Sequence, residues 1–420
     1  MPAFDQETLG TLSSSLPAWR RDQMEAAYRV FASLEEPTGA EEDWRYVDFD
    51  LPFADLEAVT EPGHPLDEGV FINSLPEQAG RVRIVDGAVI GAEADGVTLT
   101  RLADLEDELE DYSRVPVDHN KLAAAHAAFS NDGVVVDVGA DQVMASPLVI
   151  EVQAVTPRTA TFPHVSVRVG ENAEAKVLLV YRSSEGQRLL MVPEVDLRVG
   201  PGARLRYLSV QSLDHAASNV LHQRVTLGRD ATCRLGEVGL GADLGRLDLG
   251  VYLEGDGSSS DLVGLYFGEG SQTLDYRVVV NHIGKSTTSD IFLKGAVEDD
   301  AESVFTGLLR IEKDAVKTST FETNRNLVLS ENAKAHSVPN LEILCNDVVC
   351  GHGSSVGPLE EEHLYYLQSR GLHRPRAERL LIRGFFQEVI DRLPIEGIEE
   401  PVSTEVFKRF VAAQEAGRVS

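Results

Sequence analysis

Several features that would assign this 420-residue chain to a class of protein are scarce or absent. Basic residues number only 38 against 68 acidic ones, which gives a formal charge of −30. Nucleic-acid binding requires clustered basic side chains that neutralise phosphates, so we expect no nucleic-acid partner. No apolar run approaches the roughly 18–20 residues that a membrane span requires, and the first residues do not resemble a signal peptide. We therefore expect a soluble cytoplasmic protein that makes no membrane contact.

Cysteine is also scarce. The chain has three, at Cys233, Cys345 and Cys350, which is too few for a disulfide framework and fits a reducing compartment. We expect Cys233 to be a small buried apolar residue.

Motifs of enzymes and nucleotide-binding proteins are scarce too. Gly284–Thr287 reads Gly-Lys-Ser-Thr, like the end of a phosphate-binding loop, but Val279 stands where that loop requires another glycine. The stretch lies between strand-like runs, so no helix N-terminus could hold the phosphate. No nucleophile–base arrangement can be assigned. We expect this chain neither to bind a nucleotide nor to be an enzyme.

The middle of the chain has the pattern of short strands joined by corners. An apolar-Gly-x-x-Ala corner begins at Val169, Val199 and Leu227, at intervals of 30 and 28 residues (199 − 169 and 227 − 199), and weaker copies begin at Val297, Ile311 and Leu329. Repetition at this length is typical of stacked coils, none of which can bury its apolar face alone. We predict a mainly β protein with a parallel β-solenoid; a large β-sandwich is the competing fold.

Helical patterns frame this β region. We expect three domains: a mainly helical region at 1–130, a β-helix core at 131–360 and a helical domain at 361–420. In the first, Trp19–Leu34 has helical spacing; in the last, Ala377–Leu393 does, and Pro394 ends it. Arg376, Arg379 and Arg383 lie on one face of that helix. They form either a solvated face or a docking surface for an acidic groove of a partner.

Cys350 and His352 are the one credible pair of metal ligands. Residues two apart in a strand share a face, so a thiolate and an imidazole could meet one soft metal ion. Two ligands are too few for a closed site, and packing is the alternative role for both. Cys345 would face the other side unless Asn346 and Asp347 turn the chain.

Three segments together resemble a known family. LEILCNDVVCGHGSSVG (341–357), YYLQSRG (365–371) and AERLLIRGFFQEVI (377–390) resemble the signature of the SufB/SufD family of iron–sulfur cluster assembly proteins. The resemblance implies a right-handed parallel β-helix flanked by helical regions. It also implies a non-catalytic scaffold for a transient cluster, with a SufB-like subunit and a SufC-type ABC ATPase as partners. The ATPase would bind the C-terminal helices, and sulfur would arrive from a cysteine desulfurase relay.

Three positions favour the SufD-like branch of the family. Asn324 and Ala333 stand where SufB-like chains carry cysteines, and Cys350-Gly-His352-Gly matches the SufD-like pattern. His352 corresponds to the histidine that faces the SufB-like subunit, so we expect His352 and Cys350 as cluster ligands shared across that interface. A SufB-type paralogue and a β-helix polysaccharide lyase are the alternatives. The sequence does not decide between a homodimer and the heterocomplex, nor whether a flavin binds.

Overall fold

The structure, a computed structural model, describes residues 3–47, 51–75, 77–106 and 113–416, with side chains to 411. Its helices lie near the two ends of the chain. Among the described residues, no helix is both long and apolar enough to cross a membrane. The helices are α1 (Gln6–Ser13), α2 (Ala18–Ser33), α3 (Val70–Asn73), α4 (Lys121–Phe129), α5 (Glu361–Ser369), α6 (Arg374–Ile390) and α7 (Glu399–Ala416).

The strands form two sheets, and consecutive strands of the central region alternate between them. Sheet I contains β1 (Glu57–Ala58), β4 (Thr98–Arg101), β5 (Val134–Val138), β7 (Thr159–Thr161), β8 (His164–Val169), β10 (Leu189–Met191), β11 (Glu194–Val199), β13 (Ala217–Leu227), β15 (Leu244–Leu253), β17 (Thr273–His282), β19 (Glu302–Ile311) and β21 (Lys334–Ile343). Sheet II contains β2 (Gly80–Val85), β3 (Ala88–Ala94), β6 (Leu148–Ala154), β9 (Glu174–Ser183), β12 (Arg204–Ser212), β14 (Thr232–Gly239), β16 (Ser259–Gly268), β18 (Thr288–Val297), β20 (Thr318–Val328) and β22 (Val348–Gly357).

The fold is the parallel β-solenoid that the repeat predicts. Within each sheet, every pairing among β5 to β22 is parallel, and the chain makes about 8 turns. The predicted corners stack in one column, because Val199 pairs with Val169 on one side and with Leu227 on the other. Ile311 continues this column. Val297 and Leu329 lie instead at the opposite corner, where the chain passes from a strand of sheet II to a strand of sheet I. The β-sandwich alternative is wrong.

The glycine of the repeated corner is required by close stacking of the coils. A Cβ atom on Gly170, Gly200, Gly228, Gly255 or Gly284 would lie 2.0 to 3.0 Å from backbone atoms of the corner beneath it. Only glycine allows backbones to approach so closely. Gly284 of the Gly-Lys-Ser-Thr stretch therefore serves as a stacking corner between β17 and β18.

Three apolar layers hold the coils. The largest lies inside the solenoid, where inward side chains of both sheets meet. The N-terminal helices α1, α2 and α4 cover the outer face of sheet I. In the same layer, the buried guanidinium of Arg246 lies over the indole ring of Trp44, 4.1 Å from the centre of that ring. The C-terminal helices α6 and α7 cover the outer face of sheet II. Most coils are therefore buried on both faces, as a parallel sheet requires.

The ends of the chain differ from the sequence pattern in detail. The stretch at 1–130 also contributes β1 to β4, and β3 and β4 close the first coil by antiparallel pairing. Helix α6 runs from Arg374 to Ile390, a few residues earlier than expected. The division into three domains stays a prediction.

One buried carboxyl group in the solenoid interior gives a pH prediction. Glu237 accepts a hydrogen bond from Gln223 Nε2 at 2.9 Å, and burial raises its pKa to about 8. The folded chain therefore holds this proton more tightly than the unfolded chain, whose carboxyl has its ordinary pKa. Its contribution to stability is complete below about pH 4.5 and is lost progressively as the pH rises to about 8.

We predict that Glu237→Gln removes this loss, because the amide stays neutral. Each unit of pKa shift corresponds to about 1.4 kcal/mol, so the variant should be more stable than the wild type by a few kcal/mol at pH 8.5 and about equal at pH 4.5. Thermal unfolding across this range measures the difference. Equal unfolding temperatures of the two proteins at pH 8.5 would contradict the prediction.

Candidate functional site

The last coil, made of β21 and β22, is the least covered part of the solenoid. Each of these strands has a neighbour in its sheet on one side only. Their apolar side chains are exposed, and Val349 reaches 61%. Among the described residues, no helix or strand caps this end. The exposed apolar residues are Val338, Leu341, Ile343, Leu344, Val349 and Val356.

Cys350 and His352 lie on the face of β22 that continues the solenoid interior. His352 pairs with Glu322 of β20, which in turn pairs with Ile291 of β18, a member of the interior core. Cys350 follows Thr320 in the neighbouring column. The strand is regular, so both side chains share this face. His352 is exposed and Cys350 is partly buried because no further coil covers them.

Glu322 is a buried carboxyl group directly beneath His352. It is 1% exposed and points across the interior towards Gly307 of sheet I, where an added Cβ would lie 2.1 Å from its Oε2. Neither carboxyl oxygen has a hydrogen-bond partner among the described residues. Burial raises the pKa of Glu322 to about 7. A buried carboxyl without partners is costly, which points to a role beyond packing.

A hydrogen-bonded polar network replaces the apolar core around Asn324. Asn326 Nδ2 and Ser337 Oγ both donate to Asn324 Oδ1 at 2.7 Å, and Asn324 Nδ2 donates to Tyr266 Oη at 3.3 Å. Ser337 belongs to sheet I, so the network joins the two sheets across the interior. The interior of the last coils is thus polar, with His352 at its open end.

The two C-terminal cysteines meet in one small cluster. Cys345 lies in the corner between β21 and β22, which shows that Asn346 and Asp347 do turn the chain. It packs with Ile311 and Ala315, and Cys350 packs against the same cluster. Cys233 is buried in the main core, where burial raises the pKa of its thiol well above its ordinary value. Cys350 is therefore the most accessible of the three thiols.

Gly353–Gly357 has the Gly-x-Ser-x-Gly spacing of a hydrolase nucleophile elbow. The elbow requires a sharp turn from strand to helix. Here the five residues lie in the extended strand β22, so Ser355 is not presented as an elbow nucleophile.

Helix α6 divides into an inner apolar face and an outer basic face. Ile382, Phe386 and Val389 pack on the outer face of sheet II, and Lys294 Nζ of β18 contacts Glu388 Oε2 at 2.7 Å. The chain's own sheet II covers this apolar stripe, so the stripe is not available to a partner.

The predicted arginines lie on the other face of α6. Arg376 and Arg383 are exposed and make no ion pair within the described residues, while Arg379 is partly buried. An open groove between α6 and the outer side of β22 is lined in part by Arg325, Ser355 and Phe385. Tyr365 of α5, 74% exposed, stands on the same end of the molecule. The arrangement leaves basic and aromatic groups exposed at this end.

Comparison with known proteins decides the family. Residues 151–385 match the family model described as SUF system FeS cluster assembly, SufBD core domain. An iron–sulfur cluster assembly SufBD family protein of Mycobacterium leprae is 31% identical over 92% of this chain and 93% of its own length. The chain belongs to the SufBD family of iron–sulfur cluster assembly proteins.

Two SufBD relatives carry the more specific name. The iron–sulfur cluster assembly protein SufD of Bacillus subtilis is 30% identical over 74% of this chain and 72% of its own length. That of Escherichia coli is 28% identical over 60% of this chain and 59% of its own length. These matches confirm the resemblance to the SufB/SufD family, and the polysaccharide-lyase alternative is wrong.

Sequence reasoning placed Cys350 and His352 on one face of a strand, as they lie in β22, but it missed Glu322. A signal was available, because Glu322 and His352 are 30 residues apart (352 − 322), the interval that relates Val169 to Val199. Extending the coil repeat to the end of the solenoid would have placed this carboxyl beside the imidazole.

Proposed function

We propose that this chain is a non-catalytic, SufD-like scaffold subunit that pairs with a SufB-like subunit and binds a SufC-type ABC ATPase. The cargo of the complex is a nascent iron–sulfur cluster. A cytoplasmic location fits, because the accessible thiol of Cys350 requires a reducing compartment. The open last coil carries the proposal.

The last coil supports pairing with a partner through its two edge strands. Exposed, apolar edge strands are a liability that proteins usually block with charges, proline or a covering element. Here β21 and β22 leave apolar side chains exposed at the end of the molecule. A second solenoid of the same coil shape could extend both sheets and cover the interior column. The same exposed edge would also allow two copies of this chain to pair as a homodimer when the SufB-like subunit is absent.

The polar end of the interior supports a cluster site shared across that interface. An imidazole and a thiolate are competent ligands for iron, and a site of four ligands requires the rest from the partner. His352 is the exposed member and Cys350 is partly buried, and Glu322 beneath His352 can accept or release a proton as cargo is assembled. At Asn324, an amide held by three hydrogen bonds occupies the place of the SufB-type cysteine, which supports the SufD-like branch.

The basic face of α6 supports docking of the ATPase. Its inner face already holds α6 on sheet II, so the outer arginines are presented on a rigid helix. On a chain of charge −30, a basic surface favours an acidic groove of a partner.

Protection of Cys350 tests the interface. In the isolated chain we predict that iodoacetamide modifies Cys350 first, because Cys233 and Cys345 are buried. In the complex with a SufB-like subunit, the partner covers β22, and modification of Cys350 should slow at least tenfold. Mass spectrometry of tryptic peptides measures each thiol, with Cys350→Ser as control. Equal rates in both states would place the interface elsewhere.

His352→Ala tests the cluster site. We predict that the variant still forms the complex but that its iron and sulfide content falls at least fivefold, because a ligand is missing. The measurement is metal and sulfide analysis of the co-expressed complex, together with the activity of a cluster-dependent enzyme in the cells. His363→Ala, an exposed histidine on α5, is the matched control. Normal cluster content in His352→Ala would leave packing as the role of His352.

Charge reversal at Arg376 and Arg383 tests the ATPase surface. The double variant R376E/R383E should bind a SufC-type protein about tenfold more weakly, a loss of about 1.4 kcal/mol. The solenoid should stay folded, since neither side chain packs within it. Arg229→Glu, at an exposed solenoid corner, is the control for the change in charge. Unchanged affinity of the double variant would make the basic face a solvated one.

A further inference from the structure

A row of ionisable side chains crosses the outer face of sheet I beneath α4. His164, Glu194, His222 and Asp248 occupy the same position in four successive strands, β8, β11, β13 and β15. All four are buried. Apolar side chains of α1, α2, α4 and the outer residues of sheet I surround the row, and the buried guanidinium groups of Arg20 and Arg224 lie in the same layer. Such a row of charged and polar groups is costly to bury unless each is satisfied by a partner.

At one end of this row, three ligand atoms converge from three different elements. His126 of α4 points its Nε2 at His164 Nδ1, 3.3 Å away, and at Glu194 Oε2, 3.6 Å away. One ligand atom from each residue lies within 4.8 Å of the others. Tetrahedral zinc sites place nitrogen and oxygen ligands about 2.0–2.2 Å from the metal, and hence about 3.4 Å from one another. The observed separations have this size.

The orientation of His126 is fixed as in many metal sites. Its Nδ1 donates a hydrogen bond to the backbone carbonyl of Val192 at 2.9 Å. In a neutral imidazole, the Nε2 atom then carries the free electron pair. Metal-ligating histidines commonly anchor the second ring nitrogen on a carbonyl or carboxylate in this way. Full burial favours the neutral form of the ring.

Glu194 gives the second, independent observation. It is 3% exposed, and its Oε1 has no hydrogen-bond partner among the described residues. No lysine or arginine of the described part of the chain lies within ion-pair distance of it. A carboxylate in this position would face the electron pair of His126 with no bound cation between them.

We infer that His126, His164 and Glu194 bind one divalent first-row transition-metal ion. The donor set of two imidazoles and one carboxylate suits zinc or ferrous iron. Because His126 belongs to α4 while His164 and Glu194 belong to sheet I, the ion would fasten the N-terminal helical layer to the solenoid. The site is enclosed, so the ion enters as the chain folds.

The neighbouring cluster of His119, His222 and Asp248 is less suited to a cation. Arg224 Nη1 contacts Asp248 Oδ1 at 3.1 Å, and His119 Nε2 contacts Asp248 Oδ2 at 2.5 Å. The carboxylate of Asp248 is therefore already paired with a guanidinium. This cluster provides a matched control, because His222 directly follows Glu194 in the same row.

The test is metal analysis of the tag-free, full-length chain carrying His352→Ala, which removes the proposed cluster ligand. The protein is produced in medium supplemented with zinc and, separately, with cobalt, and mass spectrometry measures bound metal. We expect one ion per chain, lost at least tenfold in His126→Gln and in Glu194→Gln and kept in His222→Gln. Thermal unfolding should occur at a lower temperature in the two metal-free variants than in His222→Gln.

Several outcomes would overturn the inference. One is a metal content of the parent chain no higher than that of the buffer blank. Another is a Glu194→Gln variant that retains its metal, and the third is a loss of metal in His222→Gln alone. If a variant fails to fold, X-ray absorption of the cobalt-loaded parent chain decides instead. A shell of nitrogen and oxygen with imidazole scattering supports the site, and a sulfur ligand places the ion on a cysteine.

Discussion

Register between successive coils is the constraint on which the rest of this structure depends. Each parallel ladder fixes which residue stacks on which, and a slip of one residue would turn every inward side chain outward. The corner glycines permit the close approach that keeps the coils in step. One register therefore sets the apolar interior, the outer row beneath α4 and the placement of His352 above Glu322.

Helices cover the two outer faces of the solenoid but not its C-terminal end, among the described residues. Helices from the N-terminal part of the chain cover sheet I, and helices from the C-terminal part cover sheet II. The helices of both layers pack on the earlier coils, and the interior changes from apolar to polar at the last coil. An uncovered edge and a polar interior therefore lie at the same end of the solenoid, the end at which we propose that a partner binds.

The local sequence pattern was enough to predict the coil repeat and the shared face of Cys350 and His352 in β22. The corners at Val169, Val199 and Leu227 are visible as spacing, and alternation alone puts Cys350 and His352 on one face. The amphipathic pattern of α6 shows that the helix packs on another surface but does not show which one. Its apolar face turned out to meet the chain's own sheet II, a contact between segments about one hundred residues apart.

The sequence by itself determined the coil period, the corner chemistry, the helical ends and the family, since all of these are carried by short segments and their spacing. Tertiary structure decided which side chains lack partners and which meet. Glu322 is isolated only because the interior closes around it. His126 meets His164 and Glu194 only because α4 folds back onto sheet I. Such groups are distant along the chain, and their chemistry arises from burial, which no local pattern records.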